Sequence, residues 1–231
     1  MAVRVGVVGC GYWGRNLVRV FHELGVLCAV CDVDVALATE FSAEYSVPSL
    51  EWMEIIEDSS IDAVAIATPA EVHSTQALQS LQAGKHVFVE KPLALHSYEA
   101  EEIIALANQG ERVLMVGHLL QYHPAFLALR DLTEAGKLGR LQYIYSNRLN
   151  FGKVRREENV FWSFAPHDIS MILSLTGEMP NSISAKGASY LHKVIADVTN
   201  TYLTFPSGVN AHIFVSWLHP FKEQKLIVVG S

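Results

Sequence analysis

The chain has 231 residues, half of them hydrophobic, with a net charge of −7 and a mean hydropathy of +0.22. That much apolar matter suits one large or two modest cores and excludes a disordered chain. The acidic balance argues against broad nucleic-acid binding, which needs a basic surface, and no apolar run approaches the roughly 20 residues of a membrane span.

The first half alternates. The opening Met-Ala-Val-Arg-Val-Gly-Val-Val-Gly lacks the layout of a secretory leader and reads as a strand. Apolar, β-prone runs follow at 27–31, 62–67, 86–89 and 112–116, with helical segments between them. Residues 15–24 carry Leu17, Val20, Phe21 and Leu24 on one helical face, and Gly25 stops them. Thr68-Pro69-Ala70-Glu71 reads as a capped helix start, with Thr68 and Glu71 as a capping box, and Gly84 ends that helix. A further helix follows Ser97. Strand and helix in turn, with near-continuous apolar strands, predict an α/β doubly wound parallel sheet.

Beyond Gly117 the pattern changes. A helix over 124–135 leads to a β-type run at 141–149, a polar cationic stretch at 150–159, and a helix over 167–175 opened by Pro166-His167-Asp168. Strands are predicted at 182–190, 196–205, 209–218 and 224–229, with Pro206-Ser207-Gly208 turning a hairpin. The expectation is a nucleotide-binding domain over 1–120 and an α+β domain over 121–231 with a mainly antiparallel open sheet. The chain stops inside a strand-like run, so the second domain reads as short or truncated.

Residues 9–14, Gly9-Cys10-Gly11-Tyr12-Trp13-Gly14, spell G-x-G-x-x-G after a strand and before a helix. In that context the glycines permit a tight turn and close approach to a pyrophosphate, which the helix N-terminus then holds. Asp32 ends the second strand eighteen residues after Gly14, where a carboxylate binds ribose hydroxyls and repels a 2′-phosphate. This favours NAD over NADP, and over FAD. Cys28 and Cys31 form a CxxC inside a strand rather than at a helix start, so they read as buried thiols in a reducing, cytoplasmic setting.

Ligands of such sheets bind beyond the strands' carboxyl ends. Thr68-Pro69 and Glu90-Lys91-Pro92 sit at such ends. Lys91 there polarises an alkoxide or moves a proton; equally, it pairs with Glu90 as a structural ion pair. His167 is a general base for a hydroxyl or a structural histidine, with Asp168 orienting it or capping its helix. Arg148, Lys153, Arg155 and Arg156 suit a carboxylate or diphosphate, or form a solvated loop with Glu157 and Glu158. Tyr122 and Asn159 are further candidates for sugar hydroxyls. The histidines show no metal-ligand spacing.

The segments "VGVVGCGYWGRNLVRVF", "CDVD", "TPAEVH", "GKHVFVEKPLA" and "SFAPHDISMIL" resemble the Gfo/Idh/MocA oxidoreductases along essentially the whole chain. "GYWGRNLVR", "GHLLQYHPAF" and the stretch from Tyr143 to Asp168 look closest to the enzymes that oxidise the 3-hydroxyl of a UDP-N-acetylhexosaminuronate. The resemblance implies NAD as cofactor, contacts from residues 9–14, Asp32, Thr68, Pro69, His73, Glu90 and Lys91, and catalysis by Lys91 with His167. It implies a cis Lys91-Pro92 peptide, a sugar or sugar-nucleotide substrate, and a dimer or tetramer formed through the second sheet. Many relatives carry Asp four residues before the histidine; here that residue is Ser163. Two alternatives stay open: a dehydrogenase of a free sugar or inositol, and a non-catalytic NAD-binding regulator on the same fold.

Overall fold

The computed structural model describes residues 3–152, 154 and 158–231. They form two compact units, Met1–Gly117 and His118–Ser231.

In the first unit the chain runs β1 (Val5–Val8), α1 (Gly14–Glu23), β2 (Leu27–Cys31), α2 (Val35–Tyr45), α3 (Trp52–Glu57), β3 (Ala63–Ile66), α4 (Ala70–Gln82), β4 (His86–Val89), α5 (Ser97–Gln109) and β5 (Leu114–Val116). The five strands make one parallel sheet in the order β2-β1-β3-β4-β5. Strand side chains alternate between faces, and helices cover both. Val7 and Ala65 pack with Val18 of α1 and Phe41 of α2. Their neighbours Val8, Val64 and Ile66 pack with Ala77 of α4 and Ile103 of α5. Residues buried on both faces are why these strands read as continuous apolar runs. Lys85, 3% exposed, stands just before β4 and donates through Nζ to the carbonyls of Asp58 (2.8 Å) and Ile61 (2.9 Å). Its stem fills space while its ammonium satisfies the carbonyls after α3.

The second unit starts with a 3₁₀ turn at Leu119–Tyr122 and α6 (Pro124–Glu134), and continues with β6 (Leu141–Phe151), α7 (Val160–Thr176), β7 (Ser182–Ala188), β8 (Val198–Thr204), β9 (Asn210–Ser216) and β10 (Leu218–Gly230). The sheet order is β10-β6-β9-β8-β7. All pairings are antiparallel except β6 with β9. The turn at Pro206-Ser207-Gly208 joins β8 to β9, with Gly208 at φ +87°. One face of the sheet packs Ile144, Ile213 and Val215 against Ala165 and Ile172 of α7. The other carries Tyr143, Tyr145, Tyr202 and His212, whose rings lie within 6.5 Å of one another in pairs.

Two local readings are corrected. The α7 helix begins at Val160, with Asn159 as its cap, so Pro166, His167 and Asp168 lie inside the helix and do not open it. Packing of Val160, Ala165 and Ile172 outweighs the backbone hydrogen bond that Pro166 forfeits. No capping box forms at α4: Pro69 is the cap residue, without a side-chain cap, and the Thr68 hydroxyl donates to Gln76 Oε1 at 2.7 Å.

Candidate active site

β1, β3 and β4 are adjacent and parallel, so the loops after Val8, Ile66 and Val89 leave one edge of the sheet together. The first is the glycine loop. A Cβ on Gly9 would stand 2.7 Å from the Ala67 carbonyl carbon, and one on Gly14 would stand 1.7 Å from the Gly9 oxygen. Gly9 also has φ +88°. Both positions therefore admit only glycine. A Cβ on Gly11 would meet nothing within 4 Å, so this part of the loop faces open space. No side chain caps α1 and no acid stands in its first turn. The Arg15 and Asn16 amides donate to the Gly11 and Trp13 carbonyls, and the open loop before them fits a dinucleotide pyrophosphate. Cys10 is fully buried and Tyr12 is 90% exposed.

Asp32 ties β2 to this loop. Its Oδ2 accepts from the Cys10 amide at 2.6 Å and its Oδ1 from the Asp34 amide at 2.9 Å. Asp34 in turn caps α2 through Ala36 and Leu37. The carboxylate is thereby held half-buried beside the loop, with lone pairs left for ribose hydroxyls.

Glu90 follows β4 and is 9% exposed. The Trp13 indole donates to its Oε1 at 2.6 Å, and a Cβ on Gly117 would come within 2.8 Å of the carboxylate. Burial pushes the Glu90 carboxyl above the usual range. The indole and the Lys91 amide, with the charges of Lys91 and His73, pull the other way. Lys91 is half-buried and joined to Pro92 by a cis peptide. His73, 2% exposed on α4, has Nδ1 2.7 Å from the Pro92 carbonyl and Nε2 2.8 Å from the Thr68 carbonyl. Both ring nitrogens are thus engaged by main-chain carbonyls of the two loops.

Residues 9–14, Asp32, Thr68, Pro69, His73, Glu90 and Lys91 all belong to the first unit. The remaining candidates belong to the second. His167 is 9% exposed, its ring perpendicular to that of His118 with centroids 6.1 Å apart. Asp168 neither caps α7 nor orients His167 among the contacts seen. It accepts from Arg148 Nε (2.8 Å) and Nη2 (3.2 Å) and from the Ser146 hydroxyl (2.6 Å). Arg148 thus spends its fork on a 2% exposed carboxylate, and its use as a substrate clamp would require breaking that pair. A cavity of about 280 Å³ lies over the pair, lined by Phe126, Leu129, Met171 and Leu226 among others, and His167 is not part of its lining. The Asn159 side chain accepts from the Trp162 amide at 3.1 Å as the α7 cap. Tyr122 is 62% exposed. Lys153, Arg155, Arg156 and Glu157 lie outside the described residues.

Sequence reasoning missed the Trp13–Glu90 bond, the Arg148–Asp168 pair and the Lys85 lock. The first two join residues far apart in sequence, and only the motif spacing of "GKHVFVEKP" hints at the third. Among the described residues no group of His, Cys, Asp and Glu could hold a metal, and no helix is long and apolar enough to cross a membrane.

Residues 3–118 match the model of an oxidoreductase family with an NAD-binding Rossmann fold, and residues 126–231 match the GFO/IDH/MocA C-terminal domain. A UDP-N-acetylglucosamine 3-dehydrogenase of Acidithiobacillus ferrooxidans is 31% identical over 93% of this chain and 67% of its own. An inositol 2-dehydrogenase of Rhizobium meliloti is 28% identical over 85% of this chain and 62% of its own, so the chain spans less than two thirds of that relative. The crystal structure of a putative myo-inositol dehydrogenase from Sinorhizobium meliloti superposes with a TM-score of 0.93 at 26% identity, covering all of this chain and 74% of the other. The relatives divide between UDP-sugar and inositol enzymes and do not single out the uronate-oxidising type.

Proposed function

This chain belongs to the Gfo/Idh/MocA oxidoreductase family, and on that premise we propose that it oxidises a secondary alcohol on a sugar or cyclitol ring with NAD as acceptor. The observation that carries the reading is the convergence of the glycine loop, Asp32 and the Glu90-Lys91-Pro92 turn at the carboxyl edge of one parallel sheet. NAD, when bound, supplies the acceptor for the hydride leaving the alcohol carbon.

The protein's part is orientation and charge. The Gly9 and Cys10 amides are spent on Cys31 and Asp32, so backbone N–H groups later in the loop would hold the pyrophosphate, and Asp32 would accept from the ribose hydroxyls. Lys91, a cation at the mouth of β4, stabilises the alkoxide character that develops as the carbon–hydrogen bond breaks. His167 takes the hydroxyl proton, and no aspartate four residues earlier assists it. Orientation contributes up to about 7–11 kcal/mol in well-aligned cases.

A free polyol such as an inositol is the first substrate class, supported by the recurrence of inositol dehydrogenases among the relatives. A UDP-N-acetylhexosamine or its uronate is the second reading, supported by the 31% identical relative. NADH formation across a panel of inositols, free hexoses, UDP-N-acetylglucosamine and its uronate separates them. Turnover confined to inositols or free sugars supports the first reading, and turnover confined to nucleotide sugars supports the second. NAD binding with no turnover of any alcohol favours a non-catalytic regulator. The aromatic face of Tyr143, Tyr145, Tyr202 and His212 is the surface through which a homo-oligomer assembles, and three free thiols suit a reducing cytoplasm.

A further inference from the structure

We propose that His73 is the positioning residue for Lys91: its buried ring bridges the Thr68 and Pro92 carbonyls and fixes the Glu90-Lys91-Pro92 turn beside the cofactor loop. The inference rests on the dehydrogenase reading above and deepens it.

A carbonyl only accepts, so each short contact of the His73 ring needs a ring N–H. The N–H stands on Nδ1, 2.7 Å from the Pro92 carbonyl, or on Nε2, 2.8 Å from the Thr68 carbonyl, according to the tautomer. Proline has no N–H, so its carbonyl is the single main-chain hydrogen-bonding group that Pro92 offers, and His73 takes it. Thr68 ends the β3 loop and Pro92 ends the turn after β4, so one side chain staples two neighbouring strand ends.

The opposite side of the turn is also pinned. The Glu90 amide donates to the Ile66 carbonyl at 2.9 Å, and its carboxylate accepts from Trp13 of the glycine loop. Lys91 is therefore flanked by two anchored residues, one tied to α4 and one to the residue preceding α1. A lysine with four rotatable side-chain bonds is aimed only as well as its backbone is held.

The test compares the wild type with His73→Ala, which removes both bridges, and with His73→Gln, which keeps an amide donor for one. Calorimetry gives the NAD Kd, NADH absorbance gives kcat with an alcohol from the panel, and mass spectrometry gives amide exchange over residues 86–96. The expected result for His73→Ala is a kcat lower by about 100-fold, the cost of a reacting group misplaced by about 1 Å. Exchange should quicken at 90–96 but not in the sheet of the second unit, and the NAD Kd should move by no more than about threefold. His73→Gln should fall between the two. Wild-type kcat and wild-type exchange at 90–96 in His73→Ala would overturn the proposal. So would equal losses of kcat and NAD affinity, or faster exchange throughout both variants, which would make His73 a cofactor contact or a general stabiliser. If the wild type oxidises no alcohol on the panel, the dehydrogenase reading fails. The exchange data then still judge the staple, and unchanged exchange at 90–96 overturns it.

Discussion

The indole of Trp13 donates to the Glu90 carboxylate at 2.6 Å, across 77 residues of sequence. One partner is a variable position of the G-x-G-x-x-G loop and the other is the first residue of the Glu90-Lys91-Pro92 turn. The bond makes the pyrophosphate loop and the Lys91 turn one mechanical unit. Glu90 accepts from the loop through Oε1 and stands close against Gly117.

This arrangement predicts a particular pH dependence. The folded pKa of Glu90 lies above the ordinary glutamate value because of burial. Its contribution to stability is then complete below that ordinary value and is lost as the pH rises through the folded pKa. Glu90→Gln lacks this titration and should gain on the wild type across that window. Trp13→Phe removes a donor that lowers the pKa, so its loss should extend to higher pH, with a cost of about 1.5 kcal/mol at neutral pH. Urea midpoints from about pH 4 to about pH 8 check both. Parallel profiles for the wild type and Glu90→Gln would contradict the assignment.

Asp32 has two functions in this account: it holds the Cys10 amide and it accepts from ribose hydroxyls. Asp32→Ala should weaken NAD binding by roughly 10–100-fold, the equivalent of one lost charged hydrogen bond. It should weaken NADP binding less, because the repulsion of a 2′-phosphate also disappears. Calorimetric titration with both nucleotides measures the ratio. An unchanged preference would remove Asp32 from the ribose site.

The three cysteines should be inert in the folded protein. Burial pushes the Cys10 thiol up to about 12 and the Cys31 thiol up to about 11, with Asp32 adding to both, and burial raises Cys28 as well. A thiol is reactive as its thiolate. At mildly alkaline pH a disulfide reagent should therefore label almost nothing until denaturant is added, and then three thiols. Rapid labelling of Cys28 and Cys31 in the native state would revive a redox role for the CxxC.

Asp197 should be a stability determinant of the second unit. It is fully buried and accepts from the amides of Tyr190 (2.6 Å) and Leu191 (2.8 Å) and from the Trp217 indole (2.6 Å). Burial alone would raise its carboxyl, but the Leu191 and Tyr190 amides and the indole together hold it below the usual range. A lowered folded pKa gives stability that is present above the ordinary aspartate value and lost as the pH falls through the folded one. Asp197→Ala strands the buried Trp217 indole and frees two part-buried loop amides, and should cost roughly 1–3 kcal/mol. Denaturant unfolding of the variant checks this, and a change near zero would contradict the network.

Periodicity and motif spacing carried much of the first unit. The apolar runs at β1, β3 and β4 stand out because both faces of that sheet are covered, and the glycine loop and Asp32 follow from their distance to those strands. The α7 start was misread because Pro166 favours a first turn, while the apolar packing that extends the helix back to Val160 is tertiary. The same holds for Asp168, whose adjacency to His167 suggested orientation. Its actual partners, Arg148 and Ser146, sit on β6, and no local pattern pairs a helix carboxylate with a strand twenty residues away. The parallel β6–β9 pairing inside an otherwise antiparallel sheet was equally hidden, since it depends on long-range strand order.

The central claim is that Lys91 acts on the substrate alcohol from a turn built into the NAD site, and one paired measurement tests it most directly. NAD affinity and NADH formation are compared for the wild type and Lys91→Met, with the alcohol that the wild type turns over best. The account predicts an NAD Kd within about threefold of the wild type and a kcat lower by about 10²–10⁴-fold. Wild-type turnover in Lys91→Met, with NAD still bound, would contradict it.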